Sequence, residues 1–174
     1  DDLYVNGRIT GNSPYLTFEW KAGKDGKSYQ VQTQLIGEYN FPNALAAITI
    51  GRFFGVEDAK INEALAGYTP QNNRSQLKKT DDNTLIIDAY NANPTSMMAA
   101  LQNFRNMEVP HKMLILGDMR ELGAESAAEH QKIADYLKEC AFEKVWLVGD
   151  QFAAAEHSFQ TYPNVQEVIK LIEA

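Results

Sequence analysis

The stretch that decides the predicted fold runs from Thr84 to Ser96 and reads T-L-I-I-D-A-Y-N-A-N-P-T-S. Its three apolar residues, Leu85 to Ile87, are typical of a strand that is buried on both faces. Asn93 followed by Pro94 then predicts a helix start, because Asn is a good cap and Pro is tolerated at the first helical position. A buried strand followed directly by a helix is the repeating unit of a parallel α/β sheet.

Four polar side chains follow the apolar run, at Asp88, Tyr90, Asn91 and Asn93. In open parallel sheets, ligands bind in the crevice outside the carboxyl ends of the strands. The cluster is therefore a candidate binding site. The same residue types also cap and bend strand-to-helix turns, and this stretch alone leaves both interpretations open.

Strands and helices continue to alternate after this stretch, which predicts a parallel sheet flanked by helices. Buried strands are predicted at residues 112–116 and 144–148. The sequence G-D-M-R-E-L-G follows the first of them and contains Asp118 and Glu121. These two carboxylates therefore lie just past the end of a predicted strand.

The helices that follow these strands carry local start signals. Ser126 and Glu129 form a capping-box pattern, and Asn164 predicts the start of a last helix whose apolar residues face inward. His130 lies within the first of these helices, a position typical of a partly exposed histidine. The three histidines of the chain lack the spacing of metal ligands, so no metal site is predicted.

The N-terminal part of the chain has a different pattern. Residues 1–36 alternate between apolar and polar side chains, which predicts antiparallel strands with a turn at Gly23–Gly26. Pro42 marks the start of a tightly packed helix, and a second, amphipathic helix ends near Gly67. Residues 69–83 are polar and lack periodicity, which indicates a linker.

A domain boundary is therefore predicted between residues 1–73 and 74–174. Arg74 lies at this junction, where a guanidinium is either solvated or placed to bind a phosphate through two hydrogen bonds. Asn40 and Asn43 are three residues apart and share a face of the first helical turn. Their amides suit either the N6/N7 edge of adenine or a helix cap.

Composition restricts the class of protein. The net charge of −7, without a Lys/Arg cluster, argues against nucleic-acid binding. A single cysteine, Cys140, excludes an internal disulfide and a Cys-based zinc site. No apolar run reaches transmembrane length, and no signal peptide, dinucleotide fingerprint or P-loop is found. Because the sequence opens at Asp1 without an initiator Met, we expect a processed protein or a piece of a longer one.

Four segments together resemble the Mur ligases, ATP-dependent amide ligases of peptidoglycan synthesis. They read G-E-Y-N-F-P-N-A-L-A-A, N-R-S-Q, I-D-A-Y-N-A-N-P-T-S-M and L-G-D-M-R-E-L-G. The last two are close to the wording of the family member that adds D-Ala-D-Ala to UDP-N-acetylmuramoyl-tripeptide. The resemblance runs from Gly37 to the end of the chain. It implies a Rossmann-like C-terminal parallel sheet with flanking helices, preceded by a β-hairpin and helices of the ATPase domain.

The resemblance divides the candidate residues between two ligands. The implied nucleotide-binding residues are Asn40, Asn43, Arg74, Asp88 and Tyr90. The implied substrate-binding residues are Asn91, Asn93, Asp118 and Glu121. Asn40 and Asn43 would face adenine. Arg74 would act catalytically at the terminal phosphate, and Asp88 would hold the ribose hydroxyls. Tyr39 stands where the family commonly has His, which leaves the role of that position open.

The implied cofactors are ATP and Mg²⁺, held mainly by a P-loop and acidic residue that the family carries upstream of this sequence. The implied partners are UDP-N-acetylmuramoyl-tripeptide and D-Ala-D-Ala, in a cytoplasmic monomer that binds neither nucleic acid nor membrane. The chain alone is expected to lack ligase activity. A non-catalytic nucleotide- or peptide-binding module is an alternative, favoured by the missing P-loop. A related ligase such as folylpolyglutamate synthase is a third interpretation, which the Y-N-A-N-P and G-D-M-x-E-L-G segments disfavour.

Overall fold

The chain forms two compact units in the computed structural model, residues 1–90 and 91–174. The structure describes residues 4–23, 26–71 and 73–172; the predicted turn residues Lys24 and Asp25 lie outside them. No helix in these ranges is long and apolar enough to span a membrane. The functional division predicted at residue 74 stays a prediction.

The first unit begins with a three-stranded antiparallel sheet, as the alternation predicts. Its strands are β1 (Val5–Asn12), β2 (Tyr15–Ala22) and β3 (Ser28–Ile36), in the order β1-β2-β3. Leu16, Phe18 and Trp20 alternate along β2 and are fully buried on one face. This face packs against the helices, because Ile48 and Ile61 belong to the same core cluster.

Two helices cover the buried face of this sheet. A short 3-10 turn, Glu38–Asn40, leads into α1 (Phe41–Phe53), and α2 (Asp58–Gly67) follows. The indole N–H of Trp20 donates to Asn62 Oδ1 at 2.8 Å, which ties α2 to the sheet. Burying an indole is favourable when its N–H has such a partner.

The first unit ends in a two-stranded antiparallel sheet, which corrects two predictions. β4 (Gln76–Lys79) lies inside the predicted linker, and it pairs with β5 (Thr84–Ile87). β5 is therefore not a doubly buried strand of the parallel sheet, and its Leu85 is 43% exposed. The partner strand was missed because Q-L-K-K has no apolar alternation, while the run L-I-I suggested more burial than this pair provides.

The second unit contains the predicted parallel sheet with flanking helices. Its elements are α3 (Pro94–Asn106), β6 (Met113–Gly117), α4 (Ser126–Lys138), β7 (Lys144–Val148), α5 (Asp150–Ala154), β8 (Gln160–Tyr162) and α6 (Val165–Ile172). The strands pair in parallel in the order β6-β7-β8. The core between sheet and helices includes Leu101, Ile133, Leu137 and Leu147, all at most 2% exposed.

The helix starts show where local signals succeed. Asn93 Oδ1 accepts the N–H of Ser96 at 3.0 Å, so the predicted cap of α3 is confirmed. The capping box at Ser126 is wrong, because a 3-10 turn precedes α4 and Ser126 itself is already helical. The inward apolar face of α6 is wrong as well: Val168 is buried, whereas Val165 and Ile172 are more than half exposed.

Candidate functional site

A cavity of about 600 Å³ lies within the first unit, between α1, α2 and the residues Pro70, Arg74 and Ser75. We call it the asparagine pocket. Its floor is formed by small and apolar residues of the two helices, including Ala44, Gly51 and Ile61. Its polar lining residues include Asn40, Asn43, Lys60, Arg74 and Ser75. Three of the residues predicted to bind a nucleotide therefore line one pocket.

The two asparagines of this pocket interact with each other. Asn40 Nδ2 donates to the Ile36 carbonyl at 2.8 Å, and Asn43 Nδ2 donates to Asn40 Oδ1 at 3.3 Å. The Asn40 side chain makes no capping hydrogen bond to α1, so the capping alternative is wrong there. Among the described residues, Asn43 Oδ1 accepts no hydrogen bond. The exposed Asn43 can therefore still accept a bond from a ligand.

Arg74 is held by its neighbours in the first unit. Its guanidinium lies 3.8 Å from the ring centroid of Tyr90, a cation–π contact. Asn73 and Ser75 on either side have φ values of 56° and 48°, in the left-handed region. The Ala89 N–H donates to the Asn73 carbonyl at 2.8 Å, which joins this turn to the chain after β5.

A hydrogen-bonded chain connects Tyr39 to Asp88 through Ser75. The Tyr39 hydroxyl lies 2.7 Å from Ser75 Oγ, and Ser75 is 5% exposed. Desolvation raises the pKa of Asp88, although hydrogen bonds from the Ser75 backbone and hydroxyl, and the charge of Arg74, act in the opposite direction. Desolvation also raises the pKa of Tyr39. With Ser75 donating to the carboxylate, the Tyr39 hydroxyl donates to Ser75 Oγ.

A second cavity, of about 870 Å³, lies at the carboxyl ends of β6 and β7 and the starts of α5 and α6. We call it the strand-end pocket. Asp118 and Glu121 line it together with Arg120 and Asp150. A crevice at strand ends, which the sequence analysis expected after β5, is thus present at the parallel sheet of the second unit.

The two carboxylates predicted to face the peptide have different surroundings. Asp118 accepts the N–H groups of Gln151 and Phe152, both at 3.0 Å, and so caps the start of α5. A Cβ at position 149 would overlap this carboxylate, so Gly149 is required there. Glu121 is exposed, has φ 65°, and makes no ion pair or hydrogen bond within the described part of the chain.

The remaining predicted residues lie apart from these pockets. Asn91 and Asn93 belong to the second unit but do not line the strand-end pocket. Asn93 caps α3, and Asn91 is exposed. In the ranges that the structure describes, no group of three or more His, Cys, Asp or Glu side chains could hold a metal ion.

The sequence analysis did not identify two residues that hold the pockets together. Ser75 was quoted only as part of N-R-S-Q, and nothing in the sequence indicates its contact with Tyr39, 36 residues away. His130 is fully buried rather than partly exposed. Its position on the apolar side of α4, between Ile133 and the start of the helix, was the available signal.

Comparison with known proteins identifies the family. The model of the family described as "Mur ligase, glutamate ligase domain" matches residues 73–173, more than half of the chain. The chain belongs to the Mur ligase family. This match begins in the turn that carries Arg74 and includes the whole strand-end pocket.

The chain is similar to several individual Mur ligases. The UDP-N-acetylmuramoyl-tripeptide–D-alanyl-D-alanine ligase of Bacillus subtilis (strain 168) is 38% identical over 117 residues, 66% of this chain and 26% of the relative. The ligase of the same name from Escherichia coli (strain K12) is 32% identical over 168 residues, 96% of this chain and 35% of the relative. A crystal structure of MurF from Acinetobacter baumannii superposes with a TM-score of 0.82 at 28% identity, covering 98% of this chain and 39% of that one. The chain thus spans about a third of the length of these relatives.

Proposed function

We propose that this chain works as part of an ATP-dependent ligase that joins D-Ala-D-Ala to UDP-N-acetylmuramoyl-tripeptide in peptidoglycan synthesis. Family membership and the names of the similar ligases support the reaction. Bound ATP would supply the phosphoryl group that converts the tripeptide carboxylate to an acyl phosphate, and the dipeptide amine would displace phosphate, losing a proton, to form the amide.

The observation that carries this proposal is the asparagine pocket. A flat base would pack against the apolar lining residues, and Asn43 Oδ1 is free to accept from an exocyclic amine. Arg74 lies at the same pocket and would stabilise charge on a terminal phosphate. Asp88 and Tyr90 surround Arg74 within the first unit, and we assign them to the ribose side of the nucleotide.

The strand-end pocket would receive the dipeptide in this proposal. Asp118 is engaged by α5, so its contribution is to shape the pocket, and Glu121 is the carboxylate available to the ligand. The assignments of Asn91 and Asn93 to the substrate stay predictions, as do the cytoplasmic location and the monomeric state. Mg²⁺ would be held mainly by residues outside this chain, because no group of three or more His, Cys, Asp or Glu side chains comes together among the described residues.

The test uses the complete ligase and measures phosphate release with ATP, UDP-N-acetylmuramoyl-tripeptide and D-Ala-D-Ala. Asn43→Ala should raise the KM for ATP about ten-fold, since a lost base contact is worth about 1–3 kcal/mol. The KM for D-Ala-D-Ala should not change. Asn106→Ala, an exposed asparagine of the second unit, is the matched control.

Two outcomes would contradict the proposal. Absence of turnover by the parent enzyme with these substrates would remove the ligase assignment and leave the binding-module alternative. An Asn43→Ala enzyme with an unchanged KM for ATP would separate the asparagine pocket from the nucleotide.

A further inference from the structure

His130 is a fully buried polar side chain whose two ring nitrogens both contact backbone groups. Nε2 lies 3.0 Å from the Met119 nitrogen and accepts its N–H. Nδ1 lies 2.7 Å from the Ser126 carbonyl oxygen. Because an amide N–H only donates and a carbonyl only accepts, the ring is neutral with its proton on Nδ1.

These contacts join two walls of the strand-end pocket. Met119 is 2% exposed and starts the loop that presents Arg120 and Glu121 to the cavity. The His130 and Phe152 rings make a T-shaped contact, with centroids 4.7 Å apart, which connects α4 to α5. The neighbouring Asp118 accepts the Phe152 N–H, so the loop and α5 are held together at two points.

We propose that His130 is a positioning residue for the incoming dipeptide, because it fixes the loop Asp118–Gly123 so that Glu121 faces the strand-end pocket. This inference rests on the proposed function. Glu121 has φ 65°, a left-handed conformation that costs energy in a residue with a side chain. Such a conformation persists only while its surroundings hold it, and the Met119–His130 bond is a buried contact that joins this loop to α4.

A packing role alone would not require the imidazole. An apolar ring would fill the same space against Phe152, but it would leave the buried Met119 N–H without an acceptor. Moving that N–H toward water would then lower the free energy of the loop. This movement would displace Glu121 without unfolding α4, so binding of the dipeptide should respond more strongly than binding of ATP.

The experiment compares three variants of the complete ligase in the phosphate-release assay. His130→Phe keeps the ring and removes the acceptor, and should raise the KM for D-Ala-D-Ala at least about ten-fold with an unchanged KM for ATP. His130→Gln places an amide oxygen near Nε2, and should keep the dipeptide KM within about three-fold of the parent value. Leu137→Ala opens a cavity on the same helix away from the loop, and should lower the melting temperature without changing the dipeptide KM.

The outcomes separate this inference from the proposed function. Failure of the parent to use D-Ala-D-Ala would remove the function itself. A parent that turns over normally, with equal dipeptide KM values in the Phe and Gln variants, would overturn the role of His130. If His130→Phe does not fold, NMR of the complete ligase decides through the ¹⁵N–¹⁵N coupling across the hydrogen bond between Met119 and His130. Presence of this coupling, together with the retained KM of His130→Gln, supports the inference, and its absence overturns it.

Discussion

Substitutions of Ser75, a residue of the asparagine pocket, measure separately the strain of its left-handed backbone and the hydrogen bonds of its hydroxyl. Its hydroxyl bonds to Tyr39 and to Asp88, while its backbone has φ 48°. A neutral hydrogen bond contributes about 1 kcal/mol, and a bond to a carboxylate contributes about 1.5 kcal/mol when the carboxylate is as exposed as Asp88. Ser75→Ala should therefore lower the free energy of unfolding of the first unit by about 2–3 kcal/mol.

Ser75→Gly loses the same bonds but tolerates the left-handed backbone. Glycine avoids a cost of about 1 kcal/mol that alanine pays at this φ, so the Gly variant should be more stable than the Ala variant by about that amount. This order of stability is the reverse of the usual one. An alanine variant is normally more stable than a glycine variant, because glycine loses more backbone entropy on folding than alanine. Thr69, whose hydroxyl donates to Gln34 and whose φ is not positive, should show the usual order and serves as the control.

Urea unfolding followed by tryptophan fluorescence measures these differences. The chain has two tryptophans, Trp20 in the first unit and Trp146 in the second, so a Trp146→Phe background reports on the first unit alone. With a slope of about 1 kcal/mol per M for a unit of this size, the urea midpoint of the Ala variant should lie about 2–3 M below that of the parent. The midpoint of the Gly variant should lie about 1 M above that of the Ala variant. Equal midpoints for Ser75→Ala and Ser75→Gly would refute the left-handed strain, and parental midpoints for both would refute the hydrogen-bond argument.

Two further predictions concern the same unit. The raised pKa of Asp88 means that its ionised form is disfavoured in the folded state, so its contribution to stability is present below pH 3.8 and is lost as the pH rises through the folded-state pKa. Asp88→Asn should thus raise the urea midpoint at pH 7 and leave it unchanged at pH 3; a lowered midpoint at pH 7 would contradict this sign. Gly37 is buried with φ 93°, and a Cβ there would overlap the Tyr39 ring, so Gly37→Ala should cost at least about 2 kcal/mol, measured by Trp20 fluorescence. A Gly37→Ala variant as stable as the parent would show that the Tyr39 ring is free to move aside.

The parts of the fold that sequence predicts well are those with local causes. The cap of α3 depends on Asn93 and on an N–H three residues away, and the parallel sheet depends on repeated strand-and-helix spacing. The pairing of β4 with β5 is also local, because hydrogen bonds between Thr80 and Asn83 close the turn that joins the two strands. It was missed because the strand Q-L-K-K lacks the apolar alternation by which a strand is predicted.

The candidate site likewise contains residues that the sequence analysis indicated and residues that it did not. The resemblance gave Asn40, Asn43 and Arg74, and the structure brings these residues to one cavity. It gave no role to Tyr39, whose partner Ser75 lies 36 residues further along the chain. Residue type and spacing along the chain carry no information about such a pair, because its contact is created by the tertiary fold of the first unit.

The strand-end carboxylates show why residue type alone does not assign a role. At the end of a parallel strand, a carboxylate meets either a ligand or the N–H groups that start the next helix. Asp118 meets the helix, and Gly149 makes this possible because it has no Cβ to keep the carboxylate away from α5. Glu121 lies beyond the buried Met119, has no partner within the described residues and faces the cavity. The helix therefore engages one of two similar acids, and under the proposed function Glu121→Gln is the replacement that should change dipeptide binding directly.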